Sequence, residues 1–201
     1  VKILALETSS ATAGIAVAVD GTICDIRRFA SPRGRGAEIF TQLAEMRPAW
    51  SGLGRMAIGI GPGSYNGLRT ACALAGSFQM SLGVELVTAP SCCLLATEED
   101  HYVAIGDARG GRFWQATVED RRLAGEISLH DLASLGEILR GTRQTVYRAG
   151  DVRGFEHLPA ALPDAAVLAV LAADLTPADP GKLEPLYLKP PHITAPRDKR
   201  P

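Results

Sequence analysis

The chain opens on an apolar run, Lys2 to Leu6, that ends at the carboxylate of Glu7. A polar stretch, Thr8-Ser9-Ser10-Ala11-Thr12, separates it from a second apolar run, Gly14 to Val19. Asp20-Gly21 is a hairpin signal, and Thr22 to Arg28 supplies a third strand. Three short strands in succession argue against a Rossmann unit, in which a helix follows the first strand. The polar, Gly-containing stretch 31–36 reads as a loop. Ile39, Phe40, Leu43 and Met46 then recur at helical spacing, predicting a helix over about Ala37–Arg47 that Pro48 ends. The strand Arg55–Ile60 enters the loop Gly61-Pro62-Gly63-Ser64-Tyr65-Asn66-Gly67, and a helix over about Leu68–Leu82 follows. Ala71, Cys72, Ala73, Ala75, Gly76 and Ser77 make that helix unusually rich in small residues. Interior glycine costs helix stability, so Gly76 suggests that something packs close to it. Val84–Val87 is another strand, and Pro90 starts a short helix carrying Cys92, Cys93, Leu94 and Leu95.

The second half restarts with strands. Tyr102–Ile105 and Arg112–Glu119 flank a turn, Asp107-Ala108-Arg109-Gly110-Gly111, and Leu123–Leu129 reads as a third strand. Asp131 is placed to cap a helix over Leu132–Arg140, with Leu132, Leu135, Ile138 and Leu139 on its buried face. Thr145–Ala149 is a short strand, Ala160–Ala173 a helix whose start Pro163 breaks, and Thr176–Pro180 a turn. From Gly181 the chain runs into a proline-rich basic tail. Strands precede helices in both halves, which suggests a duplicated unit: an N-terminal lobe, 1–99, and a short C-terminal lobe, 100–201, whose tail could pack back on the first.

Composition adds limits. With 21 Lys+Arg against 22 Asp+Glu in 201 residues, the net charge is −1, so RNA contact is expected to be shared with a partner rather than made alone. No stretch approaches the roughly 18 apolar residues of a membrane span, and the N-terminus has no basic segment and apolar run of a signal peptide. A cytoplasmic location is expected. Cys24, Cys72, Cys92 and Cys93 lack zinc or redox spacing and read as reduced, mostly buried packing residues.

Candidate chemistry is sparse. The 59–67 loop joins a strand to a helix, where backbone N–H groups can receive an anion. It lacks the lysine and hydroxyl of a Walker A loop, and a tight turn explains it as well. Ser64 and Asn66 could cap the helix in either case. Glu7 and Asp107 stand at strand ends, where an actin-like phosphotransferase keeps carboxylates for Mg²⁺ and water. The second lobe offers only Gly110-Gly111 for phosphate, better read as a hairpin turn. Glu7, Ser64 and Asp107 are therefore the candidates for any nucleotide contact, with no catalytic and no metal residue assigned. His101, His130, His157 and His192 are scattered singly, without HExxH, and no serine lies in a GxSxG elbow. Arg27-Arg28 and Arg33/Arg35 could touch an acidic partner or RNA, or form ordinary solvated surface.

The opening KILALETS, the block GPGSYNGLRTACALAGSFQ from Gly61 to Gln79, GDARGGRFWQA from Gly106 to Ala116 and the late Pro185-Leu186-Tyr187-Leu188-Lys189 resemble, in order, the TsaB (YeaZ) family. The resemblance implies an actin-like/Hsp70-like (ribonuclease H-like) α/β fold of two lobes with mixed sheets and flanking helices. It implies a non-catalytic subunit that pairs with TsaD, with TsaE joining as an ATPase, in threonylcarbamoyl transfer to N6 of adenosine 37 of tRNAs reading ANN codons. No intrinsic cofactor is implied; ATP/ADP and Mg²⁺ belong to the assembled complex, and tRNA is met through it. Glu7 stands where the family usually has aspartate, Tyr65-Asn66 where it has Phe-Thr, and Gly36-Ala37-Glu38 where it has His-Ser-Glu. The alternative is an enzyme, an actin-like ATPase or kinase or a glycoprotease-like metallopeptidase.

The resemblance also places a partner surface, and a homodimer contact in the chain alone, on the first lobe's helices. The residues expected there are Ile39, Leu43, Met46, Leu68, Arg69, Cys72, Ala73, Gly76 and Met80. The other possibility is that a neighbour within the same lobe covers this face.

Overall fold

The structure, a computed structural model, describes residues 1–30 and 37–188. The expectations for Arg33, Arg35, Lys189, His192 and the basic tail lie outside the described residues. Strands β1 (Lys2–Glu7), β2 (Thr12–Val19) and β3 (Thr22–Ala30) form an antiparallel meander. Asp20 and Gly21, at φ +47° and +78°, make the tight turn between β2 and β3. On the far side of β1, β4 (Arg55–Gly59) and β5 (Glu85–Ala89) pair in parallel, giving the order β3-β2-β1-β4-β5.

Side chains alternate across this sheet, and each face has its own cover. Leu4, Leu6, Ile15, Val17, Met56 and Ile58 meet the helices α1 (Ala37–Glu45) and α3 (Tyr65–Leu82) on one face. The short α2 (Arg47–Trp50) follows α1 directly. The sequence predicts one helix ended by Pro48, but the chain begins a new helical turn with the proline in it. Proline is at home there because an N–H at that position has no intrahelical partner to lose. α3 starts three residues earlier than predicted, because Ser64 Oγ accepts the Gly67 N–H at 3.3 Å and caps it. Asn66, the other capping candidate, lies inside the helix.

The second sheet contains β6 (Tyr102–Asp107), β7 (Phe113–Glu119), β8 (Arg122–Leu123), β9 (Ser128–His130) and β10 (Val146–Arg148). Its order is β10-β6-β7-β8, with β9 also on β7. The single strand predicted over Leu123–Leu129 is two strands, parted where Gly125 turns at φ +96°. Asp131 caps α4 (Leu132–Arg140) as expected, its Oδ1 accepting the Ser134 N–H at 2.8 Å. In both sheets an antiparallel meander gains a parallel strand beside its first member, β4 beside β1 and β10 beside β6. This repeated arrangement, with its flanking helices, is the actin-like α/β fold.

α5 (Ala165–Leu171) is shorter than the predicted Ala160–Ala173, since Pro163 and the Asp164 cap delay its start. It lies on the first sheet, where Ile3, Ala5, Ala16 and Ala18 meet Ala165, Leu168 and Ala169. Small side chains let the helix come close. Both ends of α5 are tied down. Asp164 accepts the Ala166 N–H at 2.7 Å and pairs with Arg28 Nε of β3 at 2.6 Å. At the other end Arg55 Nη1 donates to the carbonyls of Ala172 and Ala173 at 2.8 and 2.9 Å. Asp164→Ala is expected to cost about 1–2 kcal/mol, most of it the cap. Asp164→Asn keeps the cap, loses a partly exposed ion pair, and is expected to cost under about 1 kcal/mol. Urea denaturation of the two variants checks the order; equal losses would remove the cap from the account.

The cysteines are all free: Cys92 and Cys93 are buried and Cys72 half-buried, whereas Cys24 is exposed. Cys24 lies in the edge strand β3, where the register of its pairing with β2 shifts.

Candidate functional site

The carboxyl end of β1 and the Gly-rich loop after β4 meet at Glu7. Its side chain is fully buried; Oε1 accepts the Ser9 N–H at 2.7 Å and Oε2 accepts the Ser91 hydroxyl at 2.9 Å. Ser91 Oγ in turn accepts the Gly61 N–H at 2.9 Å. One carboxylate thus ties the β1–β2 turn to the 59–64 loop and to the start of the short 3₁₀ turn Ser91–Cys93. A Cβ at Gly59 would stand 1.8 Å from Glu7 Oε2, so only glycine fits beside it.

The head of α3 is held against the same turn. Ser64 N–H donates to Ser9 O at 2.7 Å, and a Cβ at Gly63 or Gly67 would lie 2.3 Å from Ser9 O or 2.1 Å from Thr8 O. Of the backbone groups that the sequence offered to an anion, the N–H groups of Gly61, Ser64 and Gly67 are thus bonded within the chain, to Ser91 Oγ, Ser9 O and Ser64 Oγ. Asp107 does local work as well, its Oδ1 accepting the Arg109 N–H at 2.7 Å and Oδ2 lying 3.2 Å from the Arg109 guanidinium. Arg109, Gly110 and Gly111 all turn with positive φ, as a hairpin requires. Of the three sequence candidates, Glu7 and Ser64 meet at one clasp, and Asp107 shapes a separate turn. Ser91, the partner that completes the clasp, carries no sequence signal: it follows β5, far along the chain from Glu7.

Burial raises the Glu7 carboxyl above its ordinary value of 4.5, against the opposing pull of the hydrogen bonds from Ser9 and Ser91. The folded state then holds this proton more tightly than the unfolded one. Its stabilising contribution is complete below about 4.5 and fades as pH rises through the higher folded value. Glu7→Gln removes the titration. The stability of wild type minus that of the variant, from denaturation across pH 4–8 (roughly the range where a raised carboxyl titrates), is expected to fall with pH. A difference that climbs instead would mean that hydrogen bonding outweighs burial.

The expected partner residues separate by burial. Ile39, Leu43, Met46 and Leu68 are at most 5 % exposed and belong to this chain's own core, so they are corrected out of the partner surface. Helical spacing identifies an apolar face but not what covers it, and the first sheet covers this one. Cys72 is half-buried beside the same core. Arg69, Ala73, Gly76 and Met80 do lie together, along the outer side of α3. Met80 is 86 % exposed, and a Cβ built at Gly76 meets nothing within 4 Å. Among the described residues nothing packs on Gly76, so the close neighbour that its helix position suggests is not found there.

At the head of the same helix, Tyr65 stacks obliquely on Tyr187, with ring centroids 5.4 Å apart and planes at 33°. Arg69 lies over Tyr65, its Cζ 5.3 Å from the ring centre, and donates to the Tyr65 hydroxyl at 2.9 Å. Leu186 N–H bonds Ile60 O at 2.8 Å, and Leu188 packs into the second lobe's core, which fixes Tyr187 from both sides.

No family model and no curated protein sequence matches the chain. Solved structures do. An uncharacterized protein with similarity to peptidase YeaZ from Pseudomonas aeruginosa superposes with a TM-score of 0.75 at 20% identity, over 94% of this chain and 99% of that one. YeaZ from Pseudomonas aeruginosa superposes with a TM-score of 0.69, also at 20% identity, over 93% of this chain and 99% of its own. The chain has the fold of these proteins over nearly its whole length.

Proposed function

We propose that this chain is a TsaB (YeaZ)-type subunit, a scaffold and activator with no complete active site of its own. It pairs with a TsaD-like protein, with a TsaE-like ATPase joining, for threonylcarbamoyl transfer to N6 of adenosine 37 in tRNAs reading ANN codons, in the cytoplasm. The observation that carries the reading is the open outer face of α3: small at Ala73 and Gly76, apolar at Met80, and uncovered by the described chain. The shared fold and the ordered family motifs support it, as does the clasp, which uses the first lobe's loop groups to hold the chain together. No helix of the described residues is long and apolar enough to cross a membrane.

Two measurements test the proposal. The chain is expected to co-purify with the cell's TsaD-like protein, and omitting it is expected to abolish modification of tRNA by the reconstituted set. Modification at full rate without it would end the reading. The alternative, an actin-like ATPase, predicts turnover of ATP with Mg²⁺ by the purified chain well above that of Asp107→Ala. From the near-neutral charge, the isolated chain is expected to bind tRNA more weakly than about 1 μM at physiological salt. A filter-binding curve tighter than that would contradict a subunit that meets tRNA only through its assembly.

A further inference from the structure

We propose that the outer side of α3 takes a partner that presents a carboxylate to Arg69, and that Tyr65 and Tyr187 position the guanidinium for it. The identity of the partner rests on the proposed function; its chemistry rests on the residues of this face. Arg69 is the only charged residue among the 18 of α3. It is exposed, and it shares its side of the helix with Ala73, Gly76 and Met80, none of which has a charged or hydrogen-bonding side chain. Its Nη1 donates to the Tyr65 hydroxyl at 2.9 Å, the guanidinium lies over the Tyr65 ring, and Tyr187 stacks on that ring in turn. Among the described residues no carboxylate pairs with Arg69, and its other N–H groups have no hydrogen-bond partner.

A helix that closes over Ala73 and Gly76 takes Arg69 out of water with them. A guanidinium stripped of water and left unpaired is strongly unfavourable, whereas one met by a carboxylate in good geometry is not. Any occupant of this face must therefore bring an acceptor, and a carboxylate matches the forked donors of arginine best. The arginine is also prepared for that contact. A long side chain free in solvent loses rotamers when it pairs, but the bond and ring contact to Tyr65 already hold this one. The support is fixed in its turn: Tyr65 is the first residue of a capped helix, and Tyr187 lies between the Leu186 bond to Ile60 and the packing of Leu188. A second copy of this chain fits less well, because its α3 brings another Arg69 and no acidic residue. One arginine thus favours a different, acidic partner over self-association.

The test titrates the full-length chain with the cell's TsaD-like protein and reads Kd by calorimetry. Arg69→Met keeps the length and helix propensity of the side chain and is expected to raise Kd about thirtyfold or more. Arg69→Glu is expected to bind at least about tenfold more weakly than Arg69→Met, because it sets like charges against each other. Tyr65→Phe keeps the ring and loses the hydroxyl. It is expected to raise Kd about threefold in the wild-type background and to add nothing in Arg69→Met, since it acts through the arginine. By light scattering, Arg69→Met is expected to self-associate at least as readily as wild type. An unchanged Kd in Arg69→Met would overturn the proposal, and so would equal Kd values for Arg69→Met and Arg69→Glu, which mark a neutral acceptor. A Tyr65→Phe loss that persists without the arginine, or weaker self-association of Arg69→Met, would overturn it as well. In each of these cases wild-type binding leaves the proposed function standing, whereas a wild-type chain that binds no TsaD-like protein ends both.

Discussion

Gly67→Ala is expected to cost about 3 kcal/mol or more, whereas Gly76→Ala, nine residues further along the same helix, is expected to stabilise by about 0.5–1 kcal/mol. The two glycines look alike in sequence: each lies inside α3, and neither has a positive φ. Their surroundings differ. A Cβ on Gly67 would stand 2.1 Å from the carbonyl oxygen of Thr8, while one on Gly76 enters open space. The obstacle at Gly67 is backbone, which cannot rotate away as a side-chain tip can. Relief would require α3 to back off the β1–β2 turn, and the Ser64-to-Ser9 bond and the Glu7 clasp resist that movement. At Gly76 the only change in the isolated chain is the gain in helix propensity. For a domain of this size each kcal/mol moves Tm by roughly 2–4 °C, so the pair should melt about 10 °C apart or more. Thermal unfolding followed by circular dichroism reads the difference directly. Equal melting points would mean that the turn and the helix are not packed as described.

That contrast also marks how far the sequence could be read. Periodicity located the strands and helices of the first lobe to within a few residues, and the Asp20-Gly21 hairpin and the Asp131 cap were local signals with local causes. Contacts between distant segments leave no such trace. Glu7 announced itself as a carboxylate at a strand end, but its partner Ser91 and the glycines that make room for it are set by how β1, β4 and β5 lie together. Ile39, Leu43, Met46 and Leu68 were correctly read as an apolar face and wrongly as a partner's, because spacing does not say which neighbour covers a face. The same limit applies to α5: its sequence belongs to the second half, yet its alanines fit the flat, small-residue side of the first sheet. Where strand Leu123–Leu129 failed, one glycine in a positive-φ turn outweighed an otherwise continuous pattern.

The outer face of α3 gives the prediction with the largest effect on assembly. Arg69, Ala73, Gly76 and Met80 follow one another at spacings of four, three and four residues, which keeps them on one side of a helix. The inner side is closed by the sheet, with Leu68, Ala71 and Ala75 all but fully buried. What remains outside is a groove where Gly76 and Ala73 would let a second helix approach closely, flanked by the exposed thioether of Met80. A partner TsaD-like helix and a second copy of this chain would compete for that groove, so self-association and partner binding should exclude each other. Ala73→Arg and Gly76→Arg place a long charged side chain in it without touching the core. Both variants are expected to fold with Tm within about 3 °C of wild type, since exposed substitutions away from packed features are usually worth under about 0.5 kcal/mol and Arg is a good helix former. Both are expected to be monomeric by light scattering and to weaken capture of the TsaD-like protein by about a hundredfold or more, as a blocked interface centre does. Leu68→Ala makes the opposite comparison: it should cost about 2–5 kcal/mol of stability while leaving the outer face intact. If an arginine variant keeps its partner at unchanged affinity, the interface lies elsewhere on the molecule, and the uncovered side of α3 has to be explained without a partner.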